Sequence, residues 1–131
     1  MRHYIDTWLV NHQCNILLLE SIDERYLYRK NYKGTPNISE HFKNMHNARV
    51  TFLHANEFQH VEKLPPTENA LTKTVLQSAL NKSSRAIVQL VIEGLTTGCV
   101  KGFKEPVDLL NYLMSFECDS RTKVLLSLNT A

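Results

Sequence analysis

The chain has 131 residues, 43% hydrophobic and 21% charged, the size and balance of one globular domain spanning residues 1–131. A chain this long can bury roughly two-thirds of its unfolded surface, enough for a core without staples. A formal net charge of +2 is too small to single out nucleic acid or an anionic membrane as a partner.

The first predicted helix runs from Tyr4 to Arg29. Ile5, Leu9, His12, Ile16, Leu19, Ile22 and Tyr26 recur at helical spacing and form one stripe. Trp8, Leu17 and Leu18 fall outside that stripe, giving the helix a second apolar side. Gly34 and Pro36 break the pattern.

The second helix is expected to start at Thr35-Pro36, where Thr suits the cap and Pro the first helical position. Ile38, Met45 and Phe52 centre its stripe, flanked by Phe42, Ala48, Arg49 and Leu53. It fades over Glu57 to Lys63, and Pro65-Pro66 ends it. Thr67 is the expected cap of the third helix, whose inner side carries Leu71, Val75, Leu80, Ile87, Leu90 and Val91, with a break near Gly94.

A loop from Thr96 to Glu105 follows, and Pro106 opens the fourth helix. Its broad inner face carries Val107, Leu110, Leu113, Met114, Glu117, Arg121, Val124, Leu125 and Leu128. No segment alternates with period two. The expected class is therefore all-α, a left-handed four-helix bundle without a sheet.

Three cysteines, Cys14, Cys99 and Cys118, are sparse and odd in number, which fits a reducing compartment rather than a disulfide framework. The N-terminus carries an acid and no long apolar core, unlike a signal peptide. No apolar run approaches the ~20 residues of a membrane helix. A cytoplasmic, soluble protein is expected.

Three stretches resemble the DinB-like family, also called the YfiT-like putative metalloenzymes. They are Met45-His-Asn-Ala-Arg49 with Phe52-Leu53, Val100-Lys-Gly-Phe-Lys104, and Tyr112-Leu-Met-Ser-Phe-Glu-Cys-Asp-Ser-Arg-Thr-Lys123. The resemblance implies a DinB-like bundle of up-down-down-up order, a homodimer, and in many members a divalent metal held by three histidines. One ligand comes from the second helix and two, four residues apart, from the last. Anchored on Arg49 and Arg121, those positions fall on Asn44, Phe116 and Ser120. Phe116 offers no donor, and the amide and hydroxyl are poor ligands for zinc or nickel. The inherited centre is expected to be lost, with no cofactor and no catalytic residue, and Phe116 is expected to be buried in its space.

The remaining polar candidates for the old pocket are His12, His46, Arg49, Glu117 and Arg121. His12 reads as a buried, hydrogen-bonded histidine. His46 is two residues from Asn44, roughly 200° around a helix, and faces another side. Glu117 and Arg121 read as an i,i+4 ion pair, or with Arg49 as a patch for an anionic group. Cys118 is flanked by Glu117 and Asp119, which disfavour a thiolate.

Three functions follow as expectations. The first is a non-catalytic homodimer that binds a small molecule or a partner. The second is a metal-dependent hydrolase or thiol transferase with rearranged ligands, His12 and His46 with Glu117 or Asp119. The third is a nucleic-acid-associated stress protein using Arg25 to Lys33, where bases and tyrosines interleave. That segment also reads as a helix end whose cations suit the dipole.

Overall fold

In the computed structural model of the protein, residues 2–29, 35–66 and 71–129 are described. They form five helices: α1 Arg2–Ser21, α2 Glu24–Leu27, α3 Ile38–Ala55, α4 Lys73–Thr97 and α5 Pro106–Asn129. Among the described residues there is no strand, only an isolated bridge between Val100 and Phe103. The all-helical expectation holds. None of these helices is long and apolar enough to cross a membrane.

The boundaries differ from the expected ones for local reasons. The first helix stops at Ser21 rather than Arg29. Ser21 Oγ bonds the Leu18 carbonyl, and Asp23 then caps the one-turn α2 by accepting from the Arg25 amide at 3.0 Å. The bend carries Leu27 into the core. The cap of α3 is Asn37, not Thr35: its Oδ1 accepts from the Glu40 amide at 2.9 Å.

Thr72 caps α4 by accepting from the Val75 amide at 3.2 Å; Thr67, the expected cap, lies outside the described residues. Gly94 does not end α4. The helix runs on to Thr97 and closes on Gly98, whose φ of 83° is the left-handed conformation that glycine adopts freely.

The faces also differ. Trp8, placed outside the stripe by the sequence, is fully buried, whereas Leu9 is 46% exposed. The buried face of α1 is rotated towards Trp8, Asn11, His12, Asn15, Ile16 and Leu19. Val75 and Leu125, expected inside, are exposed. Phe116 is half-buried, not buried.

Two apolar clusters fill the interior. One gathers Trp8, Val50, Leu53, Ala86, Ile87, Leu90, Val91, Leu109, Leu110 and Leu113. The other gathers Ile16, Leu19, Ile38, Phe42, Met45, Leu71, Leu76, Leu80 and Val124. Early α1 and early α5 thus meet late α3 and late α4, so α1 and α5 point one way and α3 and α4 the other. Between the clusters, every long helix contributes polar side chains: Asn11, His12 and Asn15, then His46 and Arg49, then Ser83 and Ser84, then Glu117 and Ser120.

Candidate functional site

The middle layer is built around an ion pair between Arg49 of α3 and Glu117 of α5, both side chains wholly buried. Arg49 grips the carboxylate with two prongs, Nε to Oε2 at 2.9 Å and Nη2 to Oε1 at 2.8 Å. This bidentate fork is the strong form of the interaction. Nη1 donates to the Leu80 carbonyl at 2.9 Å and to Ser83 Oγ at 3.1 Å. The remaining Nη2 hydrogen points to His12 Nδ1 at 3.4 Å. All five guanidinium hydrogens therefore have acceptors. The Trp8 ring stacks over the guanidinium at 4.8 Å and donates its own N–H to Ser84 Oγ at 3.1 Å.

Glu117 Oε1 also accepts from Asn11 Nδ2 at 3.0 Å and Asn15 Nδ2 at 2.7 Å. The two amides turn their oxygens to Arg121, whose Nη1 donates to Asn11 Oδ1 at 2.9 Å and Asn15 Oδ1 at 2.6 Å. Glu117 and Arg121 are thus coupled through two asparagines. The expected direct i,i+4 pair is replaced because Glu117 turns inward, where only Arg49 can neutralise it. A carboxylate on one side and a guanidinium on the other fix both amide orientations.

The same reasoning fixes His12. Arg49 can only donate, so Nδ1 accepts, and Nε2–H donates to Asn81 Oδ1 at 2.8 Å. The ring is neutral. Burial, and then the neighbouring Arg49 charge, hold its pKa below the ordinary value. His46 stands apart from this network. It faces inward and Asn44 outward, the reverse of the placement expected from the matched ligand position, and its Nε2 bonds the Glu62 carbonyl at 2.8 Å. Burial lowers its pKa too, and its Nδ1 is buried without a partner.

The structure therefore joins His12, Arg49, Glu117 and Arg121 and leaves His46 outside. Among the described residues, no group of three or more His, Cys, Asp or Glu side chains converges as a metal site. Of the positions matched to the metal ligands, Asn44 is exposed, Phe116 half-buried and Ser120 buried. Arg25 and Arg29 both lie against the Tyr26 ring; Lys30 to Gly34 fall outside the described residues.

Sequence reasoning missed Asn11, Asn15, Asn81 and the Ser83-Ser84 pair. Their signal was present as polar residues interrupting apolar stripes: Asn11 and Asn15 four apart beside His12, and two serines mid-helix in α4.

Outside the layer, a groove of about 520 Å³ opens between α1 and α5. Val10, Asn11 and Cys14 line one side, and Met114, Cys118 and Arg121 the other. Asn11 and Arg121 thus belong both to the groove and to the buried network. Comparison of the chain with family models, with curated proteins and with solved structures gave no match.

Proposed function

We propose that the chain is a DinB-like four-helix bundle that has given up the family's metal centre and works without catalysis, as a homodimer binding a small ligand or a partner. The observation that carries the reading is what stands in the polar layer. A guanidinium–carboxylate pair, closed by two asparagines and a neutral histidine, uses up its own donors. A layer filled this way is a structural tie between helices. It presents no open coordination position of the kind a catalytic metal needs.

The helix directions support the bundle part of the reading. Up, down, down, up is the order of α1, α3, α4 and α5. The dimer rests on the family habit and on apolar side chains left at the surface: Leu9, Val10 and Leu17 of α1, Ile92 and Leu95 of α4, Leu125 and Leu126 of α5. Sedimentation at micromolar concentration should give twice the chain mass of 15.1 kDa; a monomer would remove the dimer from the proposal.

The metal part has its own test. After incubation with zinc or nickel and desalting, the protein should hold well under one ion per chain. The combined change Asn44→His, Phe116→His and Ser120→His should create measurable zinc or nickel affinity, since it restores imidazoles at the matched positions. Asn44 is exposed and Phe116 half-buried, so the three imidazoles would converge poorly and weak binding is the expected outcome. Stoichiometric, chelator-resistant zinc in the unmodified protein, or no gain in a folded triple variant, would overturn the assignment of these positions.

A further inference from the structure

We propose that the groove between α1 and α5 is a binding site for a soft monovalent metal ion of the copper(I) kind, held by Cys14 and Cys118 with Met114 as a third sulfur.

The argument starts from register. Asn11 and Asn15 of α1 both bond Glu117, and Arg121 bonds both asparagines. Four bonds across one seam hold the two helices at a fixed height. Cys14 precedes Asn15, and Cys118 follows Glu117, so the cysteines flank the same rung on its outer side. Both thiols are exposed, and both line the groove, as does the Met114 side chain. Packed helix axes stand roughly 8–10 Å apart. Side chains leaning into the seam from such helices can bring two sulfurs to one ion.

The chemistry selects the ion. Two thiols and a thioether without an imidazole or a convergent carboxylate are soft donors of the kind that suit copper(I), and three of them leave zinc, which takes four ligands in its structural sites, one ligand short. On binding, each thiol releases its proton to solvent and each sulfur donates an electron pair to the ion; no oxidation state changes. Two thiolates and a monovalent cation leave one negative charge, and Arg121 in the groove wall offsets it. The acids beside Cys118 are engaged elsewhere. Glu117 is turned inward onto Arg49, and Asp119 pairs with Lys123 at 2.9 Å.

This site is separate from the matched positions Asn44, Phe116 and Ser120, so its failure leaves the proposed loss of the inherited centre standing. The test uses reduced full-length protein under anaerobic conditions, competed for copper(I) against a chromophoric copper(I) chelator. One ion per chain should transfer to the protein. Cys14→Ser and Cys118→Ser should each weaken binding by about tenfold or more, and the double variant should abolish it. Met114→Leu should weaken it less. Cys99→Ser is the control and should bind as the unmodified protein does, since Cys99 lies beyond the C-terminus of α4. Both groove cysteines are exposed, so helical content should survive their replacement. Failure to compete with the chelator, equal binding by Cys14→Ser and Cys99→Ser, or half an ion per chain bridging two copies would each overturn the site.

Discussion

Burying Arg49 and Glu117 removes two charges from water, at an effective cost of several kcal/mol per ion unless geometry compensates. Here the compensation is visible in the two-pronged contact and the asparagine amides on Oε1. Removing one partner strands the other, so Glu117→Ala should cost about 3–5 kcal/mol of unfolding free energy. Replacing both with apolar residues, Arg49→Met with Glu117→Leu, should cost less than the sum of the two single truncations. Urea unfolding of the four proteins checks both statements; a loss below about 1 kcal/mol for Glu117→Ala would mean that the pair behaves as an exposed one. Phe116 gives the opposite lesson. Buried, its loss would cost about 3 kcal/mol or more through a cavity. Half-buried, as it stands, Phe116→Ala should cost about 1–2 kcal/mol by the same urea measurement, because part of the ring is already in water. The partner of Glu117 was not legible in the sequence. A cation four residues along the same helix looked sufficient, whereas the true partner lies 68 positions away on another helix.

Helices as units were legible where backbone chemistry marks them, and less so where side chains compete for the same role. Pro106 opens α5 as expected, and the periodic stripes found all four long helices. Caps were misplaced by a few residues because Thr35 and Thr67 resemble caps as well as Asn37 and Thr72 do. Only the folded chain shows which oxygen receives the first free amides. The inner face of α1 was misjudged for a related reason. Asn11 and Asn15 lay outside the apolar stripe drawn through Ile5, Leu9, His12 and Ile16, although the Glu117 carboxylate and the Arg121 guanidinium draw them inside. Gly94 read as a stop because glycine weakens a helix, yet its purpose is close packing. A Cβ there would lie 2.5 Å from Val100 Cγ2 and 3.2 Å from Pro106 Cγ. Gly94→Ala sets a helix-propensity gain of about 1 kcal/mol against overpacking worth about 1–3 kcal/mol. The branched Val100 side chain is itself buried and cannot swing away. The clash should win, and thermal unfolding should show a lowered midpoint. A raised midpoint would mean that the α4–α5 connection yields easily.

Across the whole molecule, two apolar clusters are divided by a polar layer to which all four long helices contribute, so the protonation state of buried rings bears on the stability of the entire fold. His12, His41 and His46 are all buried, and each has its pKa pushed below the ordinary 6.5, with burial the largest cause. For His12 the Arg49 charge adds to the effect, and for His41 the Lys123 charge does so. The sign follows from linkage. In the folded state the rings stay neutral to lower pH than they do in the unfolded chain. Below about 6.5 the unfolded chain therefore binds more protons, and stability falls as pH falls towards the lowered folded values. Above the unfolded pKa the contribution is fully present and flat. Unfolding free energies from urea titrations at several pH values should thus be level between about pH 7 and 8 and decline from about pH 6.5 towards 5. His12→Asn should make that decline shallower by removing one of the rings, while lowering stability at pH 7 through the lost contact with Asn81. Stability that rose on acidification from pH 7 to 5 would mean that the rings are charged in the folded protein. That outcome would undo both the neutral assignment of His12 and the closed network around Arg49.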